Sequence, residues 1–509
     1  MKKSYLSVLL LIFSLCSLRA QTTFNTGDLK IGRAKKVSPE SAKVPFNISI
    51  YNLEAPSPGG GSYKAFLNEQ KEKVAAIYPR KEVQRNYKNK TGALQPTVEE
   101  GLELYTKQGS FKNAFSGGIP NDNALAISDD NILLAAVNSI LWGYKVKEDA
   151  LVFPNSYLDL ESFVNDDSYH CYDPKLIYDE GMDRFILVFL QGNLPESSLI
   201  WVCFSSTNNP LDDWYAYNLP GNPLNNNRWT DFPSVSIVND EIFITGNLII
   251  PDVSWQVGFD GSVIWQLNKK DGFENADSVR TRFYSDVKFN GKYTRNLHPV
   301  RGTESAAPRA FFLSNRNFDI SNDSIFILNI DGTIEEEPGL NVSVAKANPE
   351  YGVPPNGIQY DTDTTDPTKG LQTNDARVLG AITNGDWIQY VSTTVNPTTG
   401  RACIYHGFIT DPGTEFQKIK GSLITDPVKD FGYPNIAFTG NEPCDIETII
   451  GFDHTSKTDF PGVSAIYFTN DSTYSDVAVV KEGESYVNKH SDSYERWGDY
   501  FGIQRNFNE

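Results

Sequence analysis

Short apolar runs alternate with turn residues along most of the chain. Ala124-Leu125-Ala126-Ile127 is followed by an Asp-Asp turn and then Ile132-Leu133-Leu134-Ala135-Ala136-Val137. Tyr172 to Tyr178, Arg184 to Leu190 and Leu199 to Ser205 repeat the pattern, with Gly, Asn and Asp between the runs. Runs of this length bounded by turn formers read as strands. No amphipathic helical spacing intervenes beyond about Asn113. That excludes a parallel α/β sheet, which needs crossover helices.

The strands fall into groups. Arg228-Trp229-Thr230-Asp231-Phe232-Pro233 opens one group and returns as Arg496-Trp497-Gly498-Asp499-Tyr500-Phe501. A weaker copy is Phe431-Gly432-Tyr433-Pro434, and related starts stand at Asp122, Asp173, Ala307-Pro308-Arg309 and Asp375-Ala376-Arg377. The seven starts are separated by about 50 to 75 residues, and each interval has room for four strands. Strand-only repeats of this size predict an all-β fold, a seven-bladed β-propeller over 113–509. Two stacked β-sandwiches are the competing arrangement, but they need no shared opening motif. After the last start the sequence reaches Glu509 without the apolar runs of a full blade. The last blade is therefore expected to be incomplete. Val44, Phe46, Ile48 and Ile50 alternate as in a strand and are the candidate to close the ring from the N-terminal side.

Residues 1–20 have the form of a signal peptide. Lys2 and Lys3 precede the apolar run Leu6 to Leu15, and Leu18-Arg19-Ala20 leads to a cut near Ala20. The apolar run is too short to span a bilayer. The expected location is secreted or cell-surface, with no membrane insertion. Residues 21–112 then form a basic arm, with 15 Lys and Arg against 9 Asp and Glu. Within it Pro56 to Gly61 reads as a linker and Phe66 to Val83 has mixed helical spacing. Residues 113–509 carry 27 basic and 55 acidic side chains, which makes nucleic acid an unsuitable partner.

Several features together resemble the uncharacterised propellers, related in architecture to sialidases, that are exported by bacteria with a type IX secretion system. The residues carrying the resemblance are Pro120-Asn121-Asp122-Asn123, Asp173-Pro174 with Tyr178-Asp179 and Asp183-Arg184, and Trp229-Thr230-Asp231-Phe232-Pro233. Thr373-Asn374-Asp375-Ala376-Arg377 and Arg496-Trp497-Gly498-Asp499-Tyr500 complete the set. The resemblance covers 113–509 and implies fold and habitat. It is nearly silent on activity.

Superimposing the starts places Asp122, Asp173, Asp231, Asp375 and Asp499 at one position, with Lys175, Arg309 and Arg377 two residues further on. First strands of blades line a propeller's central channel, so these residues are expected to ring it. One reading is structural, because buried carboxylates must pair with cations or turn backbone. The other is a channel mouth binding an anionic or sugar ligand through Lys175, Arg309 and Arg377. Trp214 and Trp255 are the tryptophans expected to be exposed and to stack on sugars. The expected function is a non-catalytic binding or cell-surface interaction module recognising a glycan or a protein. The alternative is a glycan-degrading hydrolase or polysaccharide lyase using His170, Tyr172, Arg309 and Arg377.

Metal and redox signals are sparse. No cofactor is expected. Asp361-Thr362-Asp363-Thr364-Thr365-Asp366 has alternating oxygens suited to calcium but lacks the glycine and distal glutamate of an EF-hand loop. Cys171, Cys203, Cys403 and Cys444 allow three disulfide connectivities in an exported chain. Cys171 with Cys203 and Cys403 with Cys444 are the candidate pairs, against free buried thiols.

Overall fold

The computed structural model describes residues 22–39, 64–81, 120–153, 158–302, 309–360, 370–442, 444–487 and 494–505. The signal segment, the Val44–Ile50 run and the Asp361–Asp366 loop lie outside these residues. Two elements precede the repeats, strand β1 (Thr22–Val37) and helix α1 (Ala65–Ile77).

A succession of antiparallel meanders follows. The first contains β2 (Asn123–Ile127), β3 (Ile132–Val137), β4 (Ile140–Lys145) and β5 (Ala150–Leu151), with β6 (Leu158–Asp159) also against β4. The second contains β7 (Cys171–Asp179), β8 (Arg184–Gln191), β9 (Leu199–Ser205) and β10 (Trp214–Pro220). The third contains β11 (Trp229–Val238), β12 (Glu241–Ile249), β13 (Phe259–Asn268) and β14 (Ser278–Phe289), edged by β15 (Lys292–Tyr293). The chain then runs through β16 (His298–Pro299) and β17 (Arg301–Gly302) to β18 (Arg309–Asn315), β19 (Asn322–Asp331) and β20 (Leu340–Tyr351). Here β16, β18, β19 and β20 make the fourth sheet. The short β21 (Gly370–Gln372) leads into the fifth, β22 (Val378–Thr383), β23 (Trp387–Val395), β24 (Ala402–Thr410) and β25 (Lys418–Ile424), with β17 parallel to β22. The sixth contains β26 (Asp430–Phe438), β27 (Thr448–Thr455), β28 (Gly462–Phe468) and β29 (Ala478–Lys481), and β30 (Tyr494–Arg496) pairs in parallel with β21.

Local chemistry explains many of the hairpins. Asn138, Asn239 and Asn290 each take a left-handed φ, between 47 and 52°, where a strand turns back after two residues. Asn tolerates that region, and such two-residue turns match the natural twist of paired strands.

The apolar core lies between successive sheets. Leu134 and Leu141 of the first meet Leu187 and Phe189 of the second. Val188 and Val202 of the second share a cluster with Ile244 and Trp265 of the third. Phe243 and Phe312 join the third to the fourth, Leu313 and Tyr390 the fourth to the fifth, and Val391 and Ile450 the fifth to the sixth. Sheets stacked face to face in chain order, each a four-stranded meander, make a β-propeller.

Six such sheets are present among the described residues, against the seven expected. The seventh start opens no ladder there. Residues 497–505 instead run between the first strands of the first and last sheets. The Gln504 side chain accepts from the Ile127 N–H at 3.3 Å and donates to its carbonyl at 3.0 Å. The Asn435 amide donates to the Phe501 carbonyl, and the Gly451 Cα faces the Phe501 ring so closely that a Cβ there would come within 2.8 Å of it. This tail closes the ring with side-chain bonds where a full blade would use a sheet.

The N-terminal strand is part of the body. Over Thr22–Gly32 it pairs antiparallel with β14, and from Arg33 to Val37 with β10, with a register shift between Arg33 and Lys35. It thereby joins the outer edges of the second and third sheets into one ten-stranded sheet. Edge strands carry unpaired N–H and C=O groups, and β1 satisfies two edges at once.

Candidate functional site

Each sheet enters the channel through a backbone irregularity. Asp122, Asp173, Phe232, Asn296, Asn374 and Tyr433 have φ between 35 and 57°. Register shifts follow in β7 after Tyr172, in β11 after Asp231 and in β26 after Gly432. Proline comes next at Pro174, Pro233 and Pro434. A bulge with one left-handed residue re-aims the strand and leaves room for a residue that cannot donate to the ladder. A positive φ is costly for a bulky residue. Contacts in the channel hold both aromatic cases: the Arg377 guanidinium lies 4.4 Å from the Phe232 ring centre, and Tyr433 donates to the Gln372 carbonyl at 2.7 Å.

The first strands all run the same way, so the channel has two different ends. Around their N-terminal ends gather Asp122, Asp173, Asp231, Asp375, Asp499, Arg377 and Arg496. Arg377 grips Asp375 with Nε–Oδ1 at 2.9 Å and Nη2–Oδ2 at 2.7 Å, and Asn317 donates to the same carboxylate at 2.8 Å. Arg496 donates to Asp499 at 2.6 Å, Asn374 donates to it at 2.7 Å, and the Asp499 N–H donates to Asp122 at 2.8 Å. The second Asp122 oxygen is buried without a hydrogen-bond partner. Lys175 lies over the Tyr500 ring, and Tyr500 donates to the Pro174 carbonyl at 3.0 Å.

Burial sets the electrostatics. It raises Asp173 to about 7, helped by the Asp231 charge, and raises Asp231 to about 6. Burial, then the Asp499 and Asp173 charges, lift Asp122 well above the carboxylate range. Lys175 is brought down to about 7 by burial, against the pull of Asp173 and Asp122. For Asp375 burial acts upward, but the Arg377 charge and the bonds from Arg377 and Asn317 win and its value is lowered. Two voids, at this end and in the middle of the channel, are small, about 30 and 80 Å³.

Helix α1 roofs the same end. Leu67 and Val74 pack on Val353 and Val395, and the buried Lys71 ammonium donates to the Pro354 carbonyl and the Thr373 hydroxyl, both at 2.8 Å. Lys64 donates to Gln372, and burial with the nearby Arg496 charge lowers it to about 7. The Arg80 side chain anchors the chain after α1 on Asp430 at 2.6 Å.

The opposite end is open. A cavity of about 750 Å³ lies at the C-terminal ends of the first strands, floored by Leu125, Leu176, Ile177, Ile237, Ile382 and Ile436. Tyr178, Phe438, the Asp179–Lys269 ion pair at 2.8 Å, Glu180, Arg301, Gln504 and Arg505 complete its wall. Arg301 donates to the Ile503 carbonyl at 3.1 Å, to the Asn435 side chain at 2.8 Å and to the Ile436 carbonyl at 2.7 Å. Burial lowers its guanidinium to about 10.

The aligned aspartates, Lys175 and Arg377 thus do converge, but as a packed, roofed cluster. Arg309 does not join them. It is exposed on β18 and pairs with Asp331 across the hairpin at 2.7 Å, because the inner strand of the fourth sheet is β16, ahead of it. Arg295, just ahead of β16, and His298 on it are the channel residues of that sheet, with Arg301 next on β17 against the fifth, and the repeat pattern missed them because β16 is only two residues long. His170 is held by Glu161 at 2.8 Å and Ser139 at 3.1 Å and stacks on Tyr172, which itself donates to the Gly192 carbonyl at 3.0 Å. Trp214 was expected at the surface but is fully buried, its N–H donating to the Pro210 carbonyl at 3.0 Å. Trp255 opens a four-residue helix, Trp255–Gly258. The four cysteines among the described residues are free, contrary to the expected pairs: Cys171, Cys203 and Cys403 sit inside the sheets, whereas Cys444 is exposed on a turn. Among the described residues no group of His, Cys, Asp and Glu is arranged to hold a metal, and no helix is long and apolar enough to cross a membrane.

No family model and no curated protein matches the chain. Solved structures that align with it include the N11 neuraminidase-like protein of the influenza virus A/flat-faced bat/Peru/033/2010, at 10% identity and a TM-score of 0.34, covering 75% of this chain and 92% of that one. The alpha-L-arabinanase of Cellvibrio cellulosa aligns at 10% identity and a TM-score of 0.33, covering 70% and 95%. The Synechocystis apocarotenoid oxygenase aligns at 7% identity and a TM-score of 0.38, covering 72% of each chain. The architecture itself rests on the strand ladders.

Proposed function

We propose that the chain is an exported, non-catalytic binding module that receives a partner, a glycan or a cell-surface protein, at the open end of its propeller channel. One observation carries this reading: a single channel is closed by buried ion pairs and α1 at one end and opens into a cavity of about 750 Å³ at the other. A cavity of this size, apolar with a few polar groups, suits a ligand site. The groups that a sugar-cleaving reading would use are spread apart, with His170 tied to Glu161, Arg309 on an outer hairpin and Arg377 locked to Asp375. Export rests on the signal-like segment at 1–20.

The test pairs retention on immobilised polysaccharides and bacterial surface extracts with a reducing-end release assay. Retention without release, lost in an Ile237→Trp variant whose indole projects into the cavity over its floor, supports the module. Release of reducing ends that the same substitution abolishes would replace it with a glycan-degrading enzyme.

A further inference from the structure

The cavity at the open end carries a charge pattern unlike that of the molecule. The chain has a formal net charge of −19, yet the cavity wall sets Lys269, Arg301 and Arg505 against Asp179 and Glu180. The Lys269–Asp179 pair neutralises itself. Arg301 has a different environment. Its hydrogen-bond partners are two backbone carbonyls and one amide oxygen, none of them charged, and among the described residues no carboxylate pairs with it. Those three bonds use three of the five N–H donors of a guanidinium, leaving two. A half-buried guanidinium without a counter-ion, beside a floor of Leu125, Leu176, Ile237, Ile382 and Ile436, is matched by an anion on an apolar body.

We infer that the cavity binds an aliphatic carboxylate, with the carboxylate on Arg301 and the hydrocarbon on the Leu and Ile floor. This deepens, and depends on, the reading of the open end as the binding site. Tyr178 and Phe438 stand in the wall, but the floor presents branched aliphatic chains, which suit a hydrocarbon better than the flat stacking a sugar ring takes. The same chemistry reaches the cavity from two sources. One is a free long-chain acid. The other is the C-terminal residue of a protein ending in Leu or Ile, which keeps the site within a protein-recognition role.

The experiment is calorimetric titration of the full chain with four probes. These are dodecanoate below its micelle concentration, dodecanol, an N-acetylated tripeptide ending in leucine as the free acid, and the same tripeptide as its amide. The free acid of at least one pair binds about ten-fold or more tightly than its uncharged counterpart, the difference expected of one charge-assisted hydrogen-bonded contact. Dodecanoate points to a free acid and the peptide to a chain end. Arg301→Gln lowers the affinity of the acid to that of the neutral probe, and Ile237→Trp removes binding of both, with melting temperatures reporting that each variant is folded. Equal binding of dodecanoate and dodecanol overturns the carboxylate while leaving the cavity a binding site. Binding of neither acid overturns the inference, and if Ile237→Trp still abolishes surface retention, the module reading survives it. Should Arg301→Gln fail to fold, the acid-to-neutral ratio measured on the unmodified chain decides alone.

Discussion

Arg377 binds Asp375, its neighbour but one in the chain, through two parallel hydrogen bonds of 2.9 and 2.7 Å, and both side chains are almost fully buried. The bidentate pair sits where the fifth sheet enters the channel, and its geometry leaves neither charge for a ligand. A buried pair contributes little over a well-packed apolar substitute, but breaking it strands a charge. Arg377→Leu is expected to cost about 3–5 kcal/mol in urea unfolding. Adding Asp375→Asn should recover a large part of that loss. An unchanged midpoint in the single variant would contradict the pairing.

The buried aspartates predict an unusual pH profile. Asp173 and Asp231 are raised from 3.8 to about 7 and about 6, so the folded state holds their protons more tightly than the unfolded chain does. Their contribution is fully present below about pH 4 and is lost as pH rises through 6 and 7. Lys175 is lowered from 10.5 to about 7, so its contribution is present above about 10.5 and lost as pH falls through 7. From these groups stability has a minimum near neutrality. Melting temperatures across pH 4.5 to 9.5 should show it, and Asp173→Asn should flatten the acid side.

The Gln504 side chain fastens the tail at 497–505 to the first sheet. Gln504→Ala removes two hydrogen bonds to Ile127. Stability should fall by about 1–2 kcal/mol. Hydrogen exchange at the Ile127 amide should quicken more than at amides inside β12 or β23. No change at Ile127, or a quickening no greater than inside β12 and β23, would place the tail elsewhere.

Strand β1 covers two outer edges, so its loss has a different signature. Deleting residues 22–37 should leave the channel residues in place but expose the free edges of β10 and β14. The variant is expected to self-associate, read as a concentration-dependent shift in size-exclusion elution. A monomer with native exchange protection along β14 would count against β1 as an edge cover.

What the sequence disclosed, and what it did not, follows from where the stabilising groups lie. The strand groups were visible because Trp229, Ile242, Val263 and their counterparts are core residues in short apolar runs bounded by turn formers. The bulges at Asp173, Phe232 and Tyr433 were not read from the sequence, although a proline follows each within two residues. Nor was inner strand β16, since two residues carry no period and the motif expected at Arg309 belongs to a second strand. Strand β1 escaped notice for another reason: Thr22–Val37 buries little beyond Ile31 and Val37, and its pairing is made by backbone groups that every sequence has. The ring of aspartates was readable as an alignment. That it is a sealed cluster, and that the open cavity is lined by the far ends of the same strands, depends on α1 and the tail folding over it.

The closure described by Gln504, Phe501 and Ile503 also sets an order of events. Most strands of the six sheets pair with the next in sequence and can assemble as the chain emerges, whereas β1 and β17 wait for partners further along. The partners of the tail, Ile127 and Arg301, are made hundreds of residues before it, and β21 must wait for β30. Such late, long-range contacts are slow to form. A chain folding from its N-terminal side is therefore an unlatched row of hairpins. It becomes a closed ring only when residues 497–505 reach Ile127 and Arg301.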